Sequence, residues 1–310
     1  MPEPSGVRQD RLVFGQNRHM FLRIGVISVL AALVLAALAL NACRQQTPVG
    51  RTPQAKSYSV LVSLSPSTSE LVAGNGGMGL LQGRTSACDF PAGLRRAIVV
   101  VDNGEIDYEK LETIKPDLVI FDSNLYSDEK IAKIEQLGFE MMPMEASTLD
   151  EFIDYSYRLA SKIGLESNIS KYLDRVITAR NTALSAGNPT LKVAIVIGDR
   201  EGGYMIAGKN TFQADVVRSV GGSPVGPDAS MFVALNLETL IVENPDIIIS
   251  AENAADILAD ERFTTVNAIR NKRVFDFEEP AILLRAGKRV DMMIDILSGL
   301  MSLSGSEGQK

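Results

Sequence analysis

Few side chains in this sequence can do covalent chemistry, and their positions narrow what it can do. The only histidine is His19, and the two cysteines are Cys43 and Cys88. His19 precedes the uncharged run Ile24 to Leu40, so the chain behind it lacks the imidazole of Ser-His-Asp triads, Cys-His pairs and histidine-rich zinc or manganese sites. Two cysteines build neither a thiolate metal cluster nor a disulfide framework. Carboxylates remain: Asp89, Asp122, Glu278 and Glu279 stand in predicted loops and could serve as general acids or bases. No triad or metal-ligand spacing accompanies them, so no catalytic residue, resident metal or cofactor is assigned. Two glycine-rich stretches imitate phosphate loops. Gly74-Asn75-Gly76-Gly77-Met78-Gly79 fits G-x-G-x-x-G but follows a predicted helix instead of a strand. Gly203 to Lys209 fits G-x-x-x-x-G-K, yet Asn210 stands where serine or threonine would hold magnesium.

The residues ahead of Cys43 read as an export signal. Arg18 and Arg23 precede the apolar run, and small residues close it, the order of n-region, h-region and cleavage point. The run is at the short limit for a bilayer core of about 30 Å. Met20 opens a more ordinary signal than Met1 and is the expected start. Leu40-Asn41-Ala42-Cys43 resembles the bacterial lipoprotein box, which implies a lipid on Cys43; Asn41 departs from the small residue usual there. An uncleaved transmembrane anchor is the alternative. A polar, proline-containing tether follows.

At 310 residues and 45% hydrophobic content, the chain is long enough for two lobes with their own cores behind the tether. The net charge of -7 argues against nucleic acid as a partner. Tyr58 to Leu64 predicts a strand, Ser65 to Thr68 a helix cap, and Gly74 to Gly79 the stop of that helix. Strands are predicted at Leu118 to Asp122 and Phe139 to Met144, with a helix from Asp128 to Leu137 between them. Thr148 to Ala186 predicts two helices, the second from Glu166 to Ser185 with Ile169, Leu173, Val176, Ile177 and Leu184 at helical spacing. The alternation then resumes: a strand at Leu191 to Gly198, helices at Thr211 to Val220 and Leu237 to Val242, and a strand from Asp246. A strand at Arg273 to Phe277 leads to a closing helix, Gly287 to Leu303.

An internal echo ties the halves together. Tyr108 to Ile120 and Leu237 to Ile249 both read as a helix with an early glutamate, a Pro-Asp turn and a buried strand. The expected fold class is α/β, two Rossmann-like lobes with parallel sheets joined by one long backbone helix, the cleft between them. The expected divisions are 1–42 for the extension and signal, 43–56 for the tether, 57–147 for the first lobe, 148–187 for the connecting helices, 188–304 for the second lobe and 305–310 for a polar tail.

This order of motifs resembles the substrate-binding lipoproteins of ABC importers, in the helical-backbone class that takes vitamin B12, haem and ferric siderophores. The resemblance covers about Tyr58 to Leu303. It is carried by VLVSLSPSTSELV, by Thr85 to Pro91, by the unit Tyr108 to Asp122, by Ala207 to Phe212 with Gly221-Gly222, and by Leu237 to Ile249. It implies capture of a chelated-iron or corrinoid compound, whose iron or cobalt belongs to the ligand, and delivery to a permease and its ATPase. It also implies a monomer on the periplasmic or extracellular face of a membrane. In that family a glutamate on each lobe docks into arginine pockets of the permease; the matching residues are Glu109 and Glu238. Ligand contacts are expected beyond the C-terminal ends of strands: Ser67, Thr68, Asp89, Phe90, Asn103, Asp122, Ser123 and Asn124 from the first lobe, and Tyr204, Phe232, Glu278 and Arg285 from the second. The tryptophans typical of the family's cobalamin pockets give way to Asn103, Asp122 and Phe232, which speaks against B12. Arg285, Lys288 and Arg289 resemble basic residues that siderophore receptors direct at anionic chelates. The rival classes are an exported hydrolase using Asp89, Asp122, Glu278 and Glu279, and an anchored interaction protein without a small ligand.

Overall fold

The computed structural model describes residues 57–187, 190–198 and 202–303; the signal, Cys43 and the tether lie outside the described residues. The first lobe is built on β1 (Leu61–Ser63), β2 (Leu81–Thr85), β3 (Ile98–Asp102), β4 (Glu105–Ile106), β5 (Leu118–Asp122) and β6 (Met141–Met144), in the sheet order β4-β3-β2-β1-β5-β6. The second lobe carries β7 (Lys192–Gly198), β8 (Tyr204–Ala207), β9 (Ser223–Pro224), β10 (Phe232–Ala234), β11 (Ile247–Ser250) and β12 (Val274–Asp276), in the order β10-β8-β7-β11-β12, with β9 also beside β7.

The strands are mostly parallel, as expected, and each sheet adds antiparallel pairs. In the first sheet only β4 runs antiparallel, to β3. Asn103 and Gly104 hold φ of 48° and 82°, the left-handed pair of a two-residue hairpin, and so short a link cannot make a parallel crossover. In the second sheet β8 is antiparallel to both β7 and β10, while β7, β11 and β12 run parallel.

Local chemistry starts and stops the helices. Ser65 accepts from Thr68 N to cap α1 (Pro66–Val72), with Pro66 at its first turn, where a missing N–H costs nothing. The echoed units are α2 (Tyr108–Ile114) and, after intervening helices, Leu237–Glu243. Asp107 and Asn236 cap them, and Lys115 and Asn244 end them in the left-handed region. The following carboxylates seat the neighbouring strand. Asp117 accepts from Val60 N at 2.9 Å, and Asp246 from Lys192 N at 3.0 Å.

The remaining major helices are α3 (Asp128–Gln136), α4 (Leu149–Ile163), α5 (Glu166–Ala186) and α6 (Phe212–Ser219); the Leu237–Glu243 helix is α7. Then come α8 (Ala254–Ala259), α9 (Asn267–Arg270), α10 (Pro280–Leu284) and α11 (Val290–Leu303). A Thr148–Glu151 capping box opens α4, and Gly164 at φ 72° closes it. The 21 residues of α5 span roughly 30 Å at about 1.5 Å per residue, the expected backbone helix.

One apolar core runs through both lobes. It joins Leu61, Leu118 and Ile120 of the first sheet to Val193, Ile195, Ile247 and Ile249 of the second through residues of α4, α5, α6 and α11. Separate outer clusters cover the far face of each sheet. The lobes are therefore fused by shared packing as well as by α5. Among the described residues no helix is long and apolar enough to cross a membrane.

Candidate functional site

The loops beyond β1, β2 and β12 meet beside α5. Glu70, on α1, is the centre of that meeting. Arg285 Nη1 donates to Glu70 Oε1 at 2.8 Å, Arg289 Nη2 donates to the same oxygen at 2.8 Å, and Arg289 Nε donates to Oε2 at 3.2 Å. The Glu70 side chain is 2% exposed and that of Arg289 7% exposed, so this is a buried ion triad linking the first lobe to the segment after the second sheet.

Two outer carboxylates complete the network. Arg285 Nη1 donates to Asp89 Oδ1 at 2.5 Å, and its Nη2 reaches Asp89 Oδ2 at 3.4 Å and Ala87 O at 3.2 Å. Arg289 Nη1 donates to Glu279 Oε2 at 2.6 Å and its guanidinium lies 4.5 Å from the Phe90 ring centroid. The Arg285 hydrogen bond holds the Asp89 carboxyl below its usual range. Burial works against the charge on Arg285, but Asp89 and Glu70 overcome it and raise its pKa.

Behind the triad, Tyr172 of α5 donates to Gly287 O at 2.5 Å and accepts from Val290 N at 3.3 Å. Lys288 Nζ donates to Asn75 Oδ1 at 2.7 Å and stands 4.1 Å over the Tyr172 ring. Burial, helped by Arg175, pushes its pKa down to about 8, against the pull of Asp291.

Below the loops lies a buried hydroxyl chain. Ser63 and Ser65 each bond Thr68 Oγ1 at 2.7 Å, Ser69 donates to Ser63 at 2.8 Å, and Cys88 Sγ donates to Ser69 Oγ at 3.0 Å. Ser65 Oγ also accepts from Asp122 N at 3.2 Å, tying the exits of β1 and β5.

Against this geometry the expected contacts divide. Asp89, Phe90 and Arg285 come together across the lobes. Thr68 is fully buried within the hydroxyl chain and Ser67 nearly so, which gives a ligand no access to Thr68 in this arrangement. Asp122 is half-buried at the end of β5 and caps the next turn through Asn124 N at 3.1 Å. Burial raises its pKa, opposed by Asn124. Ser123 donates to Met144 O, and Asn124 is exposed. Asn103 is exposed in the β3–β4 turn, on the sheet's outer edge. Tyr204 lies 5.6 Å from Phe263 on the outer face, Phe232 packs on the shared core, and Glu278 is exposed. Glu109 and Glu238 are exposed at equivalent first-turn positions of α2 and α7.

The three cations expected to face an anionic chelate already have partners within the protein. Arg285 and Arg289 are neutralised by Glu70, Asp89 and Glu279, and Lys288 rests on Tyr172. Glu70 itself went unnoticed in the sequence. Its one signal is a lone charge inside the otherwise uncharged Ser65 to Ala73. Among the described residues no cluster of histidine, cysteine or carboxylate suits a metal ion.

Comparison with known proteins fits this architecture. A vitamin B12-binding protein of Salmonella choleraesuis is 23% identical over 206 residues, covering 66% of this chain and 76% of that protein. The periplasmic vitamin B12 binding protein BtuF of Vibrio cholerae has a crystal structure that superposes with a TM-score of 0.71 at 20% identity, covering 81% of this chain and 99% of that one. The periplasmic heme-binding protein RhuT of Roseiflexus sp. RS-1 gives 0.69 at 19% identity, over 81% and 100%. All three are binding proteins, in agreement with the lack of a catalytic motif, and the hydrolase alternative finds no relative among them. A family model described as periplasmic binding protein matches residues 61–281, across both sheets, and the chain belongs to that family.

Proposed function

We propose that this protein is the lipid-anchored substrate-binding component of an ABC importer. It holds a chelated-iron or corrinoid compound (ferric siderophore, haem or cobalamin) between its lobes and presents it to a permease and its ATPase. The observation that carries the reading is the bridge from Arg285 to Glu70 and Asp89, which puts strand-end loops of both lobes on one site. Ligands of two-lobed α/β proteins settle at such strand ends. Asp89, Phe90 and Arg285 form the floor of the proposed site, and Asn124, Phe232 and Glu278 stand as candidates for its walls. Cys43 carries the lipid, and the tether lets a monomeric receptor turn toward its importer from the outer face of the membrane.

Glu109 and Glu238 are the proposed docking points. Two exposed carboxylates, one per lobe, give a two-point electrostatic contact that fixes orientation. A thermal-shift screen against corrinoids, haem and ferric siderophores tests the reading: one class stabilises the protein without being turned over. Stabilisation by none of them contradicts it. Charge reversal at both Glu109 and Glu238 abolishes uptake and leaves ligand affinity unchanged; unaltered uptake rejects the docking assignment.

A further inference from the structure

We propose that the cleft selects an uncharged or cationic ligand and rejects anionic chelates, with Asp89 and Glu279 as the residues that set this preference. The inference rests on the functional reading above and narrows its ligand. The cations that could receive an anion are already engaged. Arg289 is nearly buried, and its three donor nitrogens are bonded to Glu70 and Glu279. Arg285 is 16% exposed, with its terminal nitrogens on Glu70, Asp89 and Ala87 O. Lys288 is held by Asn75 and the face of Tyr172. The charges presented outward are carboxylates: the side chains of Asp89 and Glu279 are 56% and 61% exposed, and Glu278 is exposed beside them.

An ionised carboxylate offers about four lone-pair sites and no donor. Asp89 and Glu279 therefore keep acceptor capacity on their solvent side while their other bonds hold the arginines. A ligand with amide N–H groups or a positive charge meets these acceptors directly. An anionic ligand meets repulsion, or must expel Asp89 from a contact of 2.5 Å that desolvation has already been spent on. Glu70 stays on both arginines in either case, so the surface charge is a fixed property of the fold.

The test compares paired metal chelates whose members differ in charge, the first pair on one corrin scaffold. Isothermal titration of the protein is run with cobinamide, whose side chains are amides, and cobyrinic acid, whose side chains are carboxylates. Ferrioxamine B, a cationic chelate, and an anionic ferric tris-catecholate form a second pair. The expected result is at least tenfold tighter binding of the amide or cationic member of whichever pair binds. That gap should shrink in 0.5 M salt and in Asp89→Asn with Glu279→Gln. Equal or tighter binding of the anionic member, strengthened further by Asp89→Asn, overturns the inference and makes Arg285 the anion anchor. Binding of haem, an anionic chelate, but of no probe from either pair overturns this inference alone; binding of none of them, haem included, overturns the functional reading and this inference with it.

Discussion

Replacing Glu70 by glutamine removes the one charge that both guanidiniums share in the interior. The carboxylate is 2% exposed and accepts from Arg285 at 2.8 Å and from Arg289 at 2.8 and 3.2 Å. Breaking a buried pair on one side costs about 3–5 kcal/mol, because the remaining charge stays desolvated without its partner. Here the lower end applies, about 3 kcal/mol, since Asp89 and Glu279 still neutralise part of the arginine charge. At roughly 2–4 °C per kcal/mol for a domain of this size, Tm should fall by roughly 6–12 °C. Asp89→Asn is the control: its ion pair reaches the surface and should cost no more than about 1 kcal/mol. Differential scanning calorimetry of the soluble domain reads both. Replacing the pair by apolar residues, Glu70→Leu with Arg289→Met, should recover most of the loss, because similar volume without charge is often neutral. A Glu70→Gln protein melting within about 2 °C of the parent would refute the account of the triad.

Three further outcomes follow from the same geometry. Lys288 loses its proton near 8 in the fold and near 10.5 when unfolded, so the unfolded state binds more protons between those values. Its burial penalty is present below about pH 8 and fades as pH rises toward 10.5, so the stability difference from Lys288→Met should narrow across that window in urea titrations; a pH-independent difference contradicts this. Gly208→Ala would place a Cβ 2.1 Å from Ala229 O, where Asn210 N already bonds at 3.0 Å. The forced backbone shift should cost about 1–3 kcal/mol, read as a lower urea midpoint, and an unchanged midpoint would show the turn to be free to relax. Because one core runs through both lobes and α5 is continuous, scattering profiles with and without ligand should nearly coincide; a marked compaction would mean that the shared core opens.

The sequence was most legible where signals are local. The Ser65 cap and the paired Pro-Asp turns each act within a few residues and place α1, α2 and α7, and apolar spacing places α5. The buried runs Leu118–Asp122 and Ile247–Ser250 are legible for the same reason. Six strands went unread, β2, β3, β4, β8, β9 and β10; Ile98–Asp102 carries a local β-rich signal that was passed over, whereas others take their identity from a partner. β2 reads Leu-Gln-Gly-Arg-Thr, with a glycine that fits because Val62 and Val100 close over it, and β10 exists only beside β8. The short α8 and α9 are helices by virtue of burying Ile257 and Ile269 in the outer cluster, which six and four residues cannot announce. In the site, Asp89 and Arg285 were legible as strand-end loop residues, but their pairing joins positions 196 apart, and Glu70 joins Arg289 across 219. Contacts at that separation leave no periodic trace, which is why cations that look free in the sequence are neutralised in the fold.

The central claim is that a metal-chelate ligand lies between the lobes over the Asp89–Arg285 bridge. The chain contains no tryptophan, so Phe90→Trp creates a single indole, excited apart from the tyrosines at about 295 nm, beside Arg289, and Tyr157→Trp places a control on the exposed face of α4. Titration with the light-absorbing ligand that stabilises the protein should quench Trp at position 90 saturably, at one ligand per chain, and far more deeply than at position 157. Equal quenching at both positions, or none at position 90 on addition of a ligand that raises Tm, would contradict the account.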